Sequence, residues 1–139
     1  GHTGRFVVDE LVRRGLTPVL AGRGAAQLDA APQRHAALDR RVVGLDDPVP
    51  LRRALTGVGA VIHCAGPFLD TALPLARAAV EAGAHYLDVT AEQPVVKSLY
   101  RELDAPARAA ASRSSIPGTS ASGRISVIFM ARNSGREYP

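Results

Sequence analysis

The chain opens with Gly1-His2-Thr3-Gly4 and passes at once into an amphipathic run from Arg5 to Arg14. No other stretch limits the fold so strongly. A glycine pair ahead of a helix is a turn whose backbone can approach an anion closely, and such a turn ordinarily joins a buried strand to the helix. The helix then presents unpaired N–H groups and a partial positive charge at its start. Val8, Leu11 and Val12 share one face at helical spacing, Asp9, Glu10, Arg13 and Arg14 point elsewhere, and Gly15 is placed to end the helix. Two glycines at this spacing also arise by chance in simple turns, so the residues beyond the helix have to decide.

Beyond Gly15 the chain alternates between short apolar runs and helical stretches. Thr17 to Ala21 reads as a buried strand emerging at Gly22-Arg23. Residues 24–38 have helical composition, interrupted by Pro32. Arg41 to Leu45 reads as a third short strand, closed by Asp46-Asp47-Pro48, and Leu51 to Leu55 as a brief helix stopping at Gly57. Ala60 to Cys64 is the strongest strand and runs into Ala65-Gly66-Pro67-Phe68. Asp70 to Ala82 is a helix with Asp70 or Thr71 as its cap, Ala84 to Val89 a strand, and Gln93 to Ala111 a further helix disturbed by Pro106. This beat predicts an α/β fold: a Rossmann-like, doubly wound parallel sheet with ligands gathered beyond its carboxyl edge. The strand that ought to precede Gly1 is missing from the sequence. It would be central, between the strands at Val19 and Ile62, so its loss predicts two edges that pair with each other or stay open.

Several residues near that edge suggest chemistry. Arg23 stands where an acidic residue would bond a ribose 2′-hydroxyl; a guanidinium there suits a 2′-phosphate and argues for NADP over NAD. Asp46 and Asp47 fit either an adenine contact or a cap for the next helix, and both readings stay open. Ala65-Gly66 allows close backbone approach and Pro67 fixes the direction of exit. Cys64 reads as a small buried hydrophobe, and His63 as a packed or satisfied residue. Asp88, inside a strand, needs a partner and is either structural or part of the site.

Composition removes other classes. The one cysteine excludes a disulfide framework and a cysteine-rich metal site, and fits a reducing cytoplasm. No apolar stretch is long enough to span a bilayer. Residues 1–112 carry 13 Lys+Arg against 12 Asp+Glu, a net +1, and the other +3 comes from residues 113–139. A near-neutral body with a basic end is not a nucleic-acid surface. The sequence lacks Tyr-x-x-x-Lys, a Gly-Lys-Ser/Thr phosphate loop and His-Glu-x-x-His, which removes short-chain dehydrogenase, P-loop and zinc-protease chemistry. No metal ligand set is expected.

The order Gly-x-x-Gly, Leu-Ala-Gly-Arg, His-Cys-Ala-Gly-Pro-Phe and Ala-Gly-Ala-His-Tyr-Leu-Asp-Val-Thr followed by Glu92 resembles the NADP-binding N-terminal domain of the saccharopine dehydrogenase-like family, which includes trans-acting enoyl reductases. The likeness covers residues 1 to about 110. It implies that Gly1, His2, Thr3 and Gly4 contact the pyrophosphate, Arg23 the 2′-phosphate, and Ala65, Gly66, Pro67 and Phe68 the nicotinamide half. Asp46 is retained as a cofactor-side candidate, and no catalytic residue is assigned. The family commonly has glycine where Ala91 stands. These features predict a partial NADP-binding domain over 1–111, inactive by itself, from an oxidoreductase that transfers hydride to or from a small-molecule substrate and can form oligomers. A non-catalytic NADP-sensing module is the competing reading. Ser112 to Gly123 has no periodicity and precedes an isolated apolar run, Ile125 to Met130, fit for an extra strand; residues 112–139 are expected to be an atypical tail, truncated or frame-shifted.

Overall fold

A computed structural model describes residues 2–30, 35–114 and 124–128. In chain order the elements are α1 (His2–Arg13), β1 (Val19–Gly22), α2 (Ala25–Asp29), β2 (Arg40–Val42), α3 (Pro48–Ala54), β3 (Val58–His63), α4 (Phe68–Glu81), β4 (His85–Asp88), α5 (Gln93–Ser114) and β5 (Arg124–Ile128). The five strands form one sheet in the order β2-β1-β5-β3-β4, every pairing parallel. Parallel neighbours need crossovers, and α2 and α4 supply two of them.

The middle of the sheet departs from expectation. The edges of β1 and β3 neither meet nor stay bare, because β5 lies between them. Ser126 sits opposite Val19 on one side and Val61 on the other, and Ile128 opposite Ala21 and His63. β5 thus takes the slot that the first strand holds in the usual order of a doubly wound sheet. The segment Arg124–Ile128 fills it as a backbone, in parallel register with a neighbour on each side.

Helices cover both faces, as adjacent residues of β1 show. Leu20 packs with Val8, Leu28 and Leu38, joined by Val7, Leu11 and Cys64; its neighbour Ala21 packs with Leu51, Leu55, Val61, Leu75 and Ala79. Successive strand side chains point to opposite faces, so β1 divides the core in two. Leu51, Leu55, Leu75 and Val61 are each at most 1% exposed, and burying such a side chain stabilises by about 1.5–3 kcal/mol. In α1 the buried face is Gly4 and Val8 with Val7 and Leu11 beside them, while Val12 faces outward. α5 packs on α4 rather than on the sheet and continues through Pro106 to Ser114.

The helix ends follow their glycines. Gly15 and Gly83 have φ of +78° and +71°. Around them Leu16 N–H bonds Leu11 O at 3.0 Å and Ala84 N–H bonds Ala79 O at 2.8 Å, the paired closure that satisfies the last carbonyls of a helix. α3 starts on Asp47, whose carboxylate accepts from Val49 N–H at 2.9 Å, with Pro48 in the first turn. α4 begins two residues before the expected cap. Pro67 is its N-cap, and Thr71 sits inside the helix, its hydroxyl donating back to Pro67 O at 2.7 Å and Ala65 O at 3.1 Å.

The helix expected over 24–38 is short. Between residues 24 and 30 only Ala25–Asp29 is helical, and Pro32 lies outside the described residues. Arg40 shows how the irregular backbone beyond is tolerated. Its guanidinium donates to Leu28 O at 3.0 Å, Ala36 O and Leu38 O at 3.1 Å each, and His35 O at 3.4 Å. One side chain thus ties four carbonyls of this segment together, adding to the backbone bonds that Leu28 O and His35 O already accept. His35, 4% exposed, also holds Asp9 of α1 at 2.5 Å, tying this segment to the first helix.

Candidate functional site

The carboxyl ends of the strands define the working edge. Arg23 directly follows β1, Asp46 lies in the loop after β2, and Ala65 to Phe68 lie in the loop after β3. α1 packs on β5 and hands over to the start of β1 within a few residues. The last turn of α1 therefore lies near the start of β1, and its first turn toward the opposite, carboxyl end. A helix of this length rises about 18 Å, enough to cross the sheet.

Each expected residue can be located against that edge. Gly1 lies outside the described residues. His2, Thr3 and Gly4 form the first turn of α1 itself rather than a turn ahead of it, and no acidic side chain stands in that turn to oppose an anion. His2 and Thr3 are exposed and Gly4 is buried. Arg23 is exposed at the end of β1, and Asp46 is exposed just before the cap residue Asp47. Ala65 is buried, Gly66 and Pro67 are exposed, and Phe68 is half-buried as the first residue of α4. A Cβ added at Gly66 would come no closer than 3.9 Å to any atom, so the fold itself does not require glycine there.

Beneath the Ala65–Phe68 loop lies a polar group that the sequence alone marks only faintly. His63, the last residue of β3, is fully buried. Its Nδ1 is 2.9 Å from the Tyr86 hydroxyl, and its ring meets Phe68 edge-on with centroids 4.9 Å apart. Burial lowers its pKa to about 4, against smaller opposing effects from the Ala65 backbone and Asp88, so the ring is neutral at neutral pH. Burial, then the charge and hydrogen bond of Asp88, push the Tyr86 phenol far above its usual range. The phenol oxygen and His63 Nδ1 share one hydrogen bond, and Asp88 lies close enough to act on both groups electrostatically. Asp88 Oδ1 also accepts from Thr90 N–H at 3.1 Å, and Thr90 Oγ1 from Glu92 N–H at 3.1 Å. Asp88 has the partners its position demanded.

The sheet register explains this gathering. Val61 stands opposite Tyr86 and His63 opposite Asp88, so residues two apart on both strands share one face. The expectation for His63 was a packed or satisfied residue, and the ring is packed. Nδ1 is satisfied, but Nε2 has no hydrogen-bond partner among the described residues. Cys64 points to the other face, half-buried, and burial raises its thiol pKa, which leaves it a poor nucleophile at neutral pH.

Among the described residues no helix is long and apolar enough to cross a membrane. A family model described as the saccharopine dehydrogenase NADP-binding domain matches residues 1–115. A probable mitochondrial saccharopine dehydrogenase-like oxidoreductase of Arabidopsis thaliana is 31% identical, the alignment covering 66% of this chain and 24% of that protein. The chain therefore spans about a quarter of the relative it matches. No solved structure matches it.

Proposed function

Since the chain belongs to the family of saccharopine dehydrogenase NADP-binding domains, we propose that it holds NADP(H) for an oxidoreductase acting on a small molecule. In this reading the diphosphate lies at the first turn of α1, over the amides of Gly1 to Gly4. Arg23 takes the 2′-phosphate, Asp46 lies beside the adenosine, and the Ala65–Phe68 loop lies along the nicotinamide. The observation that carries the proposal is topological: α1 starts, and β1 and β3 end, at the same edge of one parallel sheet. The residues suit the ligand's chemistry. α1 offers a helix start with no carboxylate in its first turn, Arg23 a permanent cation, and Gly66-Pro67 a backbone without bulk.

Bound NADPH would supply the hydride. The chain's own part is to bind and orient it: α1 and Arg23 fix the charged end, and the loop after β3 fixes the ring's position. The family and the relative's description favour this oxidoreductase reading over a sensing module. We place the protein in a reducing compartment on the strength of its single free cysteine; the cytoplasm was the expectation, and the relative is described as mitochondrial.

Titration of NADPH and NADH against the chain and its Arg23→Glu variant tests the proposal. A charge-assisted hydrogen bond contributes roughly 1.5–3 kcal/mol, so the variant should bind NADPH roughly 10–100-fold more weakly and NADH about as before. Equal affinity of the unaltered chain for both cofactors refutes the assignment to Arg23.

A further inference from the structure

We propose that His63 and Tyr86 are positioning residues: a buried strut that sets the Ala65–Phe68 loop against the β4–α5 loop and so governs how the nicotinamide half of the cofactor is held. This rests on the NADP(H) reading above.

The strut has two ends and one joint. At one end Asp88, two residues beyond Tyr86 on the same face of β4, accepts from Thr90 N–H, which fixes the turn after β4. At the other the His63 ring lies under the loop, against Phe68 and near the Ala65 backbone. The joint is the 2.9 Å hydrogen bond between Tyr86 and His63 Nδ1. Because Nε2 has no hydrogen-bond partner among the described residues, Tyr86 sets the ring's rotation about its long axis. A ring free to turn would shift Phe68 and, through it, the first turn of α4. Thr71 spreads the effect, since its hydroxyl holds the Ala65 and Pro67 carbonyls together. The adenosine side, at Arg23 after β1 and the start of α1, is set apart from these groups on β3 and β4 by β5.

That separation makes the test. NADPH and adenosine 2′,5′-bisphosphate, which lacks the nicotinamide half, are titrated against the full chain and its Tyr86→Phe and Asp88→Asn variants. Tyr86→Phe keeps the ring and removes the joint, and should weaken NADPH about tenfold while the bisphosphate changes less than about twofold. Asp88→Asn, at a half-buried position, should act in the same sense and more weakly. Unchanged NADPH affinity in Tyr86→Phe overturns the inference and leaves the cofactor reading intact. Equal weakening of both ligands also overturns it, as the mark of a merely structural residue. If the unaltered chain binds neither ligand, the cofactor reading fails and the strut's role goes with it.

Discussion

Acid should unfold this protein through His63. In the unfolded chain an imidazole titrates near 6.5, and in the folded protein His63 is held to about 4 by burial. Between those values the unfolded chain binds more protons, so stability rises with pH. The contribution is fully present above about 6.5 and is lost as pH falls toward 4. A separation of this size corresponds to about 3 kcal/mol when complete. Linkage gives about 2 kcal/mol lost by pH 5 and only about 0.2 at pH 7. Glu10, lowered to about 2 by its hydrogen bonds to Arg13 and Arg14, acts below the window. The assay is urea unfolding at pH 7, 6 and 5 for the protein and for His63→Gln, comparing slopes against pH rather than absolute stability. The variant's profile should be flatter by about 2 kcal/mol between the two extremes. Parallel profiles would refute the reasoning and show that the buried ring is not the titrating group.

The two glycine roles separate in one experiment: Gly83→Ala forces a side chain to φ +71° with no new contact and should cost about 1 kcal/mol in chemical denaturation, whereas Gly66→Ala should leave stability unchanged and weaken NADPH if the cofactor comes close. Ser126→Pro removes a backbone donor from a strand paired on both sides, and should abolish the cooperative unfolding transition; a melt like that of the unaltered protein would mean β5 is dispensable.

The parts of the fold legible in sequence are those written by local chemistry. Gly15 and Gly83 announced helix ends, Asp47-Pro48 announced a helix start, and the strands at Val19 and Val61 showed as apolar runs. Three things did not show. The stretch over 24–38, expected to be helical with a break at Pro32, keeps only the short α2, because composition cannot see Arg40 gathering the carbonyls of Leu28 in α2 and of His35, Ala36 and Leu38 beyond it. The place of β5 was hidden because an apolar run says that a strand forms but not between which neighbours. The His63–Tyr86 pair spans 23 residues and depends on register, which only the assembled sheet fixes. A signal existed, for Tyr86 and Asp88 are two apart and share a face, and Asp88 stood out as a carboxylate in a strand. At the candidate site, Arg23, Asp46 and Ala65–Phe68 could be set at strand ends from sequence, whereas Thr71 reaching back to Ala65 could not.

The position of β5 also sets the order of events during folding. β1 is complete by residue 22, yet its inner neighbour is made about a hundred residues later, and β3 waits for the same partner. As the chain leaves the ribosome, the β1–β2 and β3–β4 halves can each form early but have nothing to dock against. Closure of so long a loop must precede its reward, which favours slow assembly. Until residue 128 emerges, both halves expose an unpaired inner edge, and a nascent chain stalled before that point is the species most prone to self-association.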